Sequence, residues 1–123
     1  MAINAEKLGM IIKEFAAAAS DVEGAAIVTP DGLPLATTLP SGMDDERVSA
    51  MSAAMLSLGE RIGKELVRGT IDRIYVEGDK GLSILTSCGE DTVFLVLATK
   101  TAKQGLLMLD IKRTVGELRM VLS

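Results

Sequence analysis

The stretch IDRIYVEGDKGLSILTSCGEDTVFLVLAT, Ile71 to Thr99, sets three apolar runs between short turn signals, and its reading decides the fold. Ile71–Glu77, Leu82–Ser87 and Thr92–Ala98 are rich in β-branched and aliphatic residues and predict three strands. Gly78-Asp79-Lys80-Gly81 joins the first two as a hairpin. Cys88-Gly89-Glu90-Asp91 makes the next join. The run VFLVLA within the last strand is apolar on both faces, which suits a central strand covered from two sides.

Upstream, IVTPDGLPLA, Ile27 to Ala36, hinges two shorter apolar runs on Pro30-Asp31-Gly32. Proline fixes φ at the first turn position, Asp tolerates or caps the turn, and Gly supplies φ > 0. Gly24–Thr29 and Leu33–Thr38 are therefore expected to form a second hairpin. Residues 4–19 read as an amphipathic helix, with Leu8, Ile11, Ile12, Phe15 and Ala19 on one stripe. A long helix is expected from a cap at Asp44 or Asp45 to about Arg68, stopped by Gly69. A last helix from about Ala102 to Val121 places Leu107, Ile111, Val115, Leu118 and Leu122 on one side. The order αββαβββα predicts an α+β domain spanning residues 1–123, with a five-stranded antiparallel sheet flanked by helices.

Composition excludes several classes of function. Thirteen Lys and Arg stand against 17 Asp and Glu, a formal net charge of −4 with no basic block, so nothing favours nucleic acid as a partner. The single cysteine, Cys88, allows neither an intrachain disulfide nor a multi-thiolate metal site. Histidine is absent, and with it the common general base, metal ligand and nucleophile activator. Asp44-Asp45-Glu46 sits where a helix start favours negative charge and reads as a cap, not as a metal site. No GxxxxGK[ST] loop occurs, so no phosphate cradle of that kind exists. The expectation is a chain that is not an enzyme and has no cofactor. Glu6, Lys7, Lys13 and Glu14 interrupt any signal-peptide run, and no 18-residue apolar run occurs. That predicts a cytoplasmic protein with no membrane insertion.

The long helix is unusual. Val48, Met51, Met55, Leu58, Ile62 and Leu66 make a continuous apolar stripe, the side expected to face the core. Beside it Ser52, Leu56, Gly59 and Gly63 line up at spacings of 4, 3 and 4. A glycine inside a helix costs roughly 0.5–1 kcal/mol relative to alanine, so two on one flank need a reason. Close approach of another backbone is the usual one: either the helix's own sheet or a helix of a second subunit. A further strip, Ala50, Ala53, Ala54 and Ser57, is nearly uncharged and is expected to face away from the core, as surface meant to be covered.

With these elements in place the chain resembles the roadblock family, the dynein light-chain and bacterial GTPase-regulator group. The resemblance rests on the element order, on GAAIVTPDGLPLAT, on the small-residue helix before IDRIYVEGDKGLSILTSC, and on VFLVLAT leading into the final helix. Profilin-like and longin domains share much of this architecture. The resemblance implies a homodimer whose middle helices pack side by side and whose third strands pair edge to edge. Carried over here, Ser52, Leu56, Gly59 and Gly63 become the helix contact, and Ile71, Arg73, Tyr75 and Glu77 belong to the pairing strand. It further implies a non-catalytic regulator or scaffold that binds a Ras-like small GTPase and modulates its nucleotide cycle. Arg47, Ala50, Ala54, Ser57 and Arg61 would meet that partner, with Arg47 or Arg61 placed to serve as an arginine finger. The alternative is a profilin-like small-molecule sensor, against which the shortage of aromatics weighs: two Phe, one Tyr and no Trp.

Overall fold

A computed structural model of the chain describes residues 4–89 and 92–122. The elements run α1 (Ala5–Ala18), β1 (Val22–Val28), β2 (Pro34–Thr38), α2 (Asp45–Glu65), β3 (Arg73–Gly78), β4 (Gly81–Gly89), β5 (Thr92–Ala98) and α3 (Gln104–Leu122). This is the αββαβββα order that the sequence predicts. The join at Glu90 and Asp91 lies outside the described residues.

The five strands form one antiparallel sheet in the order β2-β1-β5-β4-β3. VFLVLA is thus the central strand. Its Phe94, Val96 and Ala98 point to one face and Val93, Leu95 and Leu97 to the other. The first face carries the larger core: Leu8, Ile12 and Phe15 of α1 and Leu107, Ile111 and Leu118 of α3 pack on Ala25, Ile27, Ile84 and Phe94. Phe15 meets Phe94 edge to face, centroids 5.4 Å apart, a geometry that the ring quadrupole favours. The second face is covered by α2 alone, through Val48, Met55 and Leu56 against Ala26, Val28, Leu85 and Leu95.

Local chemistry sets the element ends. Asn4 accepts a hydrogen bond from the Lys7 backbone N–H, and Asp44 accepts one from that of Glu46, so both helix starts have capped donors. The Thr37 hydroxyl donates to Asp45 (2.7 Å), tying β2 to the start of α2. Gly78 pairs with Gly81, leaving Asp79-Lys80 as a two-residue hairpin turn. At the other hairpin Gly32 has φ +89° and its N–H donates to the Thr29 carbonyl.

Several boundaries differ from expectation: β1 begins at Val22, two residues early, and β3 begins at Arg73, which leaves Ile71 in the loop before the strand. α2 ends at Glu65 and not near Arg68, because the chain turns left-handed at Val67 (φ 55°) before Gly69 (φ 87°). The Gly63 carbonyl then accepts from the N–H groups of both Arg68 (2.7 Å) and Gly69 (3.1 Å), folding the loop back over the last turn.

Candidate functional site

α2 crosses its sheet diagonally. Its first turns meet β2 and the β1–β2 turn, through Asp45 and Ala50, and its last turns meet β3, through Gly59, and the loop before β3, through Gly63. One helix cannot cover five strands, so a groove of about 320 Å³ remains beside it. Met51, Met55 and Val48 form one wall, and Val76, Leu85 and Leu97 the floor and far side. β3 pairs only with β4, and its outer edge is open.

The glycine flank lies against β3 at Gly59 and against the loop before it at Gly63. A Cβ at Gly59 would stand 2.5 Å from the Ile74 Cδ1, and one at Gly63 would stand 2.5 Å from the Gly69 carbonyl and 2.7 Å from the Ile71 Cδ1. Ser52 is buried on the same side, its hydroxyl donating to the Val48 carbonyl one turn back, and Leu56 packs half-buried into the smaller core. Of the two reasons for the glycines, close approach within the chain itself is met at both positions.

The apolar stripe expected to face the core instead looks outward. Met51 is 58% exposed, Leu58 50%, Ile62 45% and Leu66 61%. Only Val48 and Met55 turn far enough inward to join the core. The physical reason is angular. The glycine flank brings backbone to the sheet more closely than a methionine flank can, so the bulkier stripe is displaced to the side. Ala53, expected to face away, is buried, and Ser49 beside it is fully so. Ala50 lies under the hairpin tip: a Cβ on Gly32 would meet its Cα at 3.2 Å. The Pro30-Asp31-Gly32 turn therefore presents its glycine to the small-residue strip of α2.

The other predicted positions are placed as follows. Arg47, Ala54, Ser57 and Arg61 are exposed on α2, and Ala50 is exposed beside the hairpin tip. Arg61 reaches Glu65 at 3.7 Å, an exposed pair that contributes little. Tyr75 and Glu77 are exposed along β3, whereas Ile71 and Arg73 are half-buried. Arg73 donates to Asp72 through Nε (3.0 Å) and Nη2 (2.6 Å), and that bond pushes the guanidinium pKa up. Met51, Leu58, Ile62 and Val76 were not singled out for the site by the sequence reading. A signal was present: Met51–Leu66 and Ser52–Gly63 together span too wide an arc for both to face one sheet.

Among the described residues no group of three or more His, Cys, Asp or Glu could hold a metal ion, and none of the helices is long and apolar enough to cross a membrane. Cys88 is buried on the sheet face opposite α2. Burial pushes its thiol pKa up, partly offset by a hydrogen bond with the Thr92 hydroxyl at 3.3 Å.

An exposed apolar helix flank, an uncovered strip of sheet and an open strand edge on one face are suited to protein contact. Known proteins resemble this chain in sequence or in fold. An uncharacterized protein of Methanocaldococcus jannaschii is 31% identical over 98 residues, spanning 80% of this chain and 85% of that one. MglB of Myxococcus xanthus superposes with a TM-score of 0.90 at 17% identity, over 99% of this chain and 92% of MglB. A Roadblock/LC7 domain from Streptomyces avermitilis gives 0.87 at 21% identity, over 93% and 96% respectively. Residues 8–98 match the Roadblock/LC7 domain family itself, and the chain belongs to that family.

Proposed function

We propose that this chain is a non-catalytic homodimeric regulator or scaffold that docks a Ras-like small GTPase and modulates its nucleotide cycle. The observation carrying the reading is the exposed stripe Met51, Leu58 and Ile62 beside a groove that one helix leaves unfilled. A second copy of α2 laid along that groove would bury the stripe, and β3 strands paired edge to edge would join two sheets into one. Full burial of a large aliphatic side chain contributes about 1.5–3 kcal/mol. Several half-exposed ones, counted twice by symmetry, are on the scale of association's entropic cost of about 4–15 kcal/mol. In this arrangement Tyr75 and Glu77 lie at the seam. Ser52, Leu56, Gly59 and Gly63 act one step behind it, setting how closely α2 lies on its sheet.

The solvent side of the paired helices then offers Arg47, Ala50, Ala54, Ser57 and Arg61 to the GTPase. A partner held there is regulated without any reaction on this chain. If the dimer binds one arrangement of the switch loops more tightly, it shifts the population toward that arrangement. Sedimentation velocity at micromolar concentration tests the first step, and GTP hydrolysis by a small GTPase of the same organism, with and without this chain, tests the second. A monomer in the first experiment would remove the basis of the proposal.

A further inference from the structure

On the face of the sheet away from α2, a cleft of about 220 Å³ opens between β3, β4 and α3. Met108, Ile111 and Val115 give it an apolar wall, and Thr86 and Ser87 line the β4 side. Three cations line it, Arg73 from β3 with Lys112 and Arg119 from α3, against the single carboxylate of Asp72. On a chain of net charge −4 this is a local excess of positive charge.

Among the described residues the excess is offset only at Asp72. Asp72 is engaged by Arg73 through one oxygen. Lys112 and Arg119 make no ion pair among the described residues. Among the described residues of α3 their neighbours three and four positions away are Met108, Leu109, Val115, Gly116 and Leu122, none of them acidic. The acids of α3 lie toward its other flank: Asp110 pairs with Arg113, and Glu117 lines the α1 side. Gly116 sits between the two cations, and a Cβ there would touch nothing within 4 Å, so the missing side chain keeps the cleft open to approach.

We propose that this cleft binds a small soluble phosphomonoester, its dianion between Lys112 and Arg119 and its organic part against Met108, Ile111 and Val115. A dianion matches the net charge of the lining, and a guanidinium fork fits phosphate oxygens. The volume is below the roughly 300–1,000 Å³ of sites for drug-sized ligands, which calls for a short organic part. The two cations that hold the dianion lie on α3, not on β3 or α2, so the site stands or falls apart from dimerisation and GTPase docking.

The test titrates glycerol 3-phosphate into the ¹⁵N-labelled chain at constant ionic strength. Saturable shifts centred on the Lys112, Gly116 and Arg119 amides are expected, with a dissociation constant of about 1 mM or tighter. Lys112→Gln and Arg119→Gln, both exposed and so expected to leave folding intact, should each weaken binding about fivefold or more. Lys13→Gln on α1 should leave it unchanged. Non-saturating shifts, equal shifts from sodium chloride, or binding that survives both substitutions would overturn the proposal. So would recruitment to phosphatidylcholine vesicles containing phosphatidic acid without a response to glycerol 3-phosphate, since that assigns the cations to a membrane headgroup.

Discussion

At the scale of single residues, the two glycines of α2 differ in what confronts them. A Cβ at Gly63 would meet the Gly69 backbone carbonyl at 2.5 Å, held by the loop that the Gly63 carbonyl anchors. Gly63→Ala is expected to lower stability by about 2 kcal/mol or more, read as an earlier urea midpoint, because the backbone must shift. Gly59 faces only the far end of the Ile74 side chain. There alanine's gain in helix propensity, about 1 kcal/mol, offsets a rotamer change, and Gly59→Ala should fall within about 1 kcal/mol of the parent. Finding the two equal would mean that Ile71, not the Gly69 carbonyl, sets the limit at Gly63. Cys88 makes a prediction about pH. Its folded pKa is raised by burial, so its contribution is fully present below the ordinary thiol value and is lost as pH rises through the raised one. Unfolding midpoints should fall above about pH 8.5, and Cys88→Ala should flatten that decline.

At the scale of elements, most of the order and type was legible because the strands have strong punctuation. Asp79-Lys80 between Gly78 and Gly81 leaves one turn geometry, and the unbroken apolar run of β5 admits only a two-sided position. α2 was legible as a helix but not in its rotation. Hydrophobicity ranked Met51, Leu58 and Ile62 above Ser52, Gly59 and Gly63 for the core, while close approach of the helix to the sheet favoured the smaller set. Periodicity records which residues share a stripe; which stripe faces inward depends on the surface opposite, here Ile74 and Ile71. The extent of the helix was misread for a related reason, since Val67 in a left-handed conformation is a choice that valine's local preference opposes. Leu58→Glu and Ile62→Glu on the exposed stripe should leave the monomer's unfolding midpoint nearly unchanged. Each should raise the dimer dissociation constant about tenfold or more by burying an unpaired charge. An unaltered constant would move the interface elsewhere.

At the scale of the whole molecule, the two faces of the sheet are unequally finished. Two helices seal one, while a single oblique helix leaves a groove on the other. Apparent stability should therefore depend on protein concentration: between 1 and 100 μM the melting midpoint of the parent should rise by a few degrees, and that of Leu58→Glu should not. The strand order has a consequence for how the chain folds in time. β3, β4 and β5 are consecutive and close in sequence, whereas β1 reaches its partner β5 only across about 70 residues, as in the pairing of Ala26 with Leu95. Closing that loop is slow compared with zipping hairpins, so the β3–β4–β5 meander should form early and the β1–β2 hairpin dock late. Until it does, one side of the central strand stands bare, and β5 is for that interval the most adhesive segment of the chain.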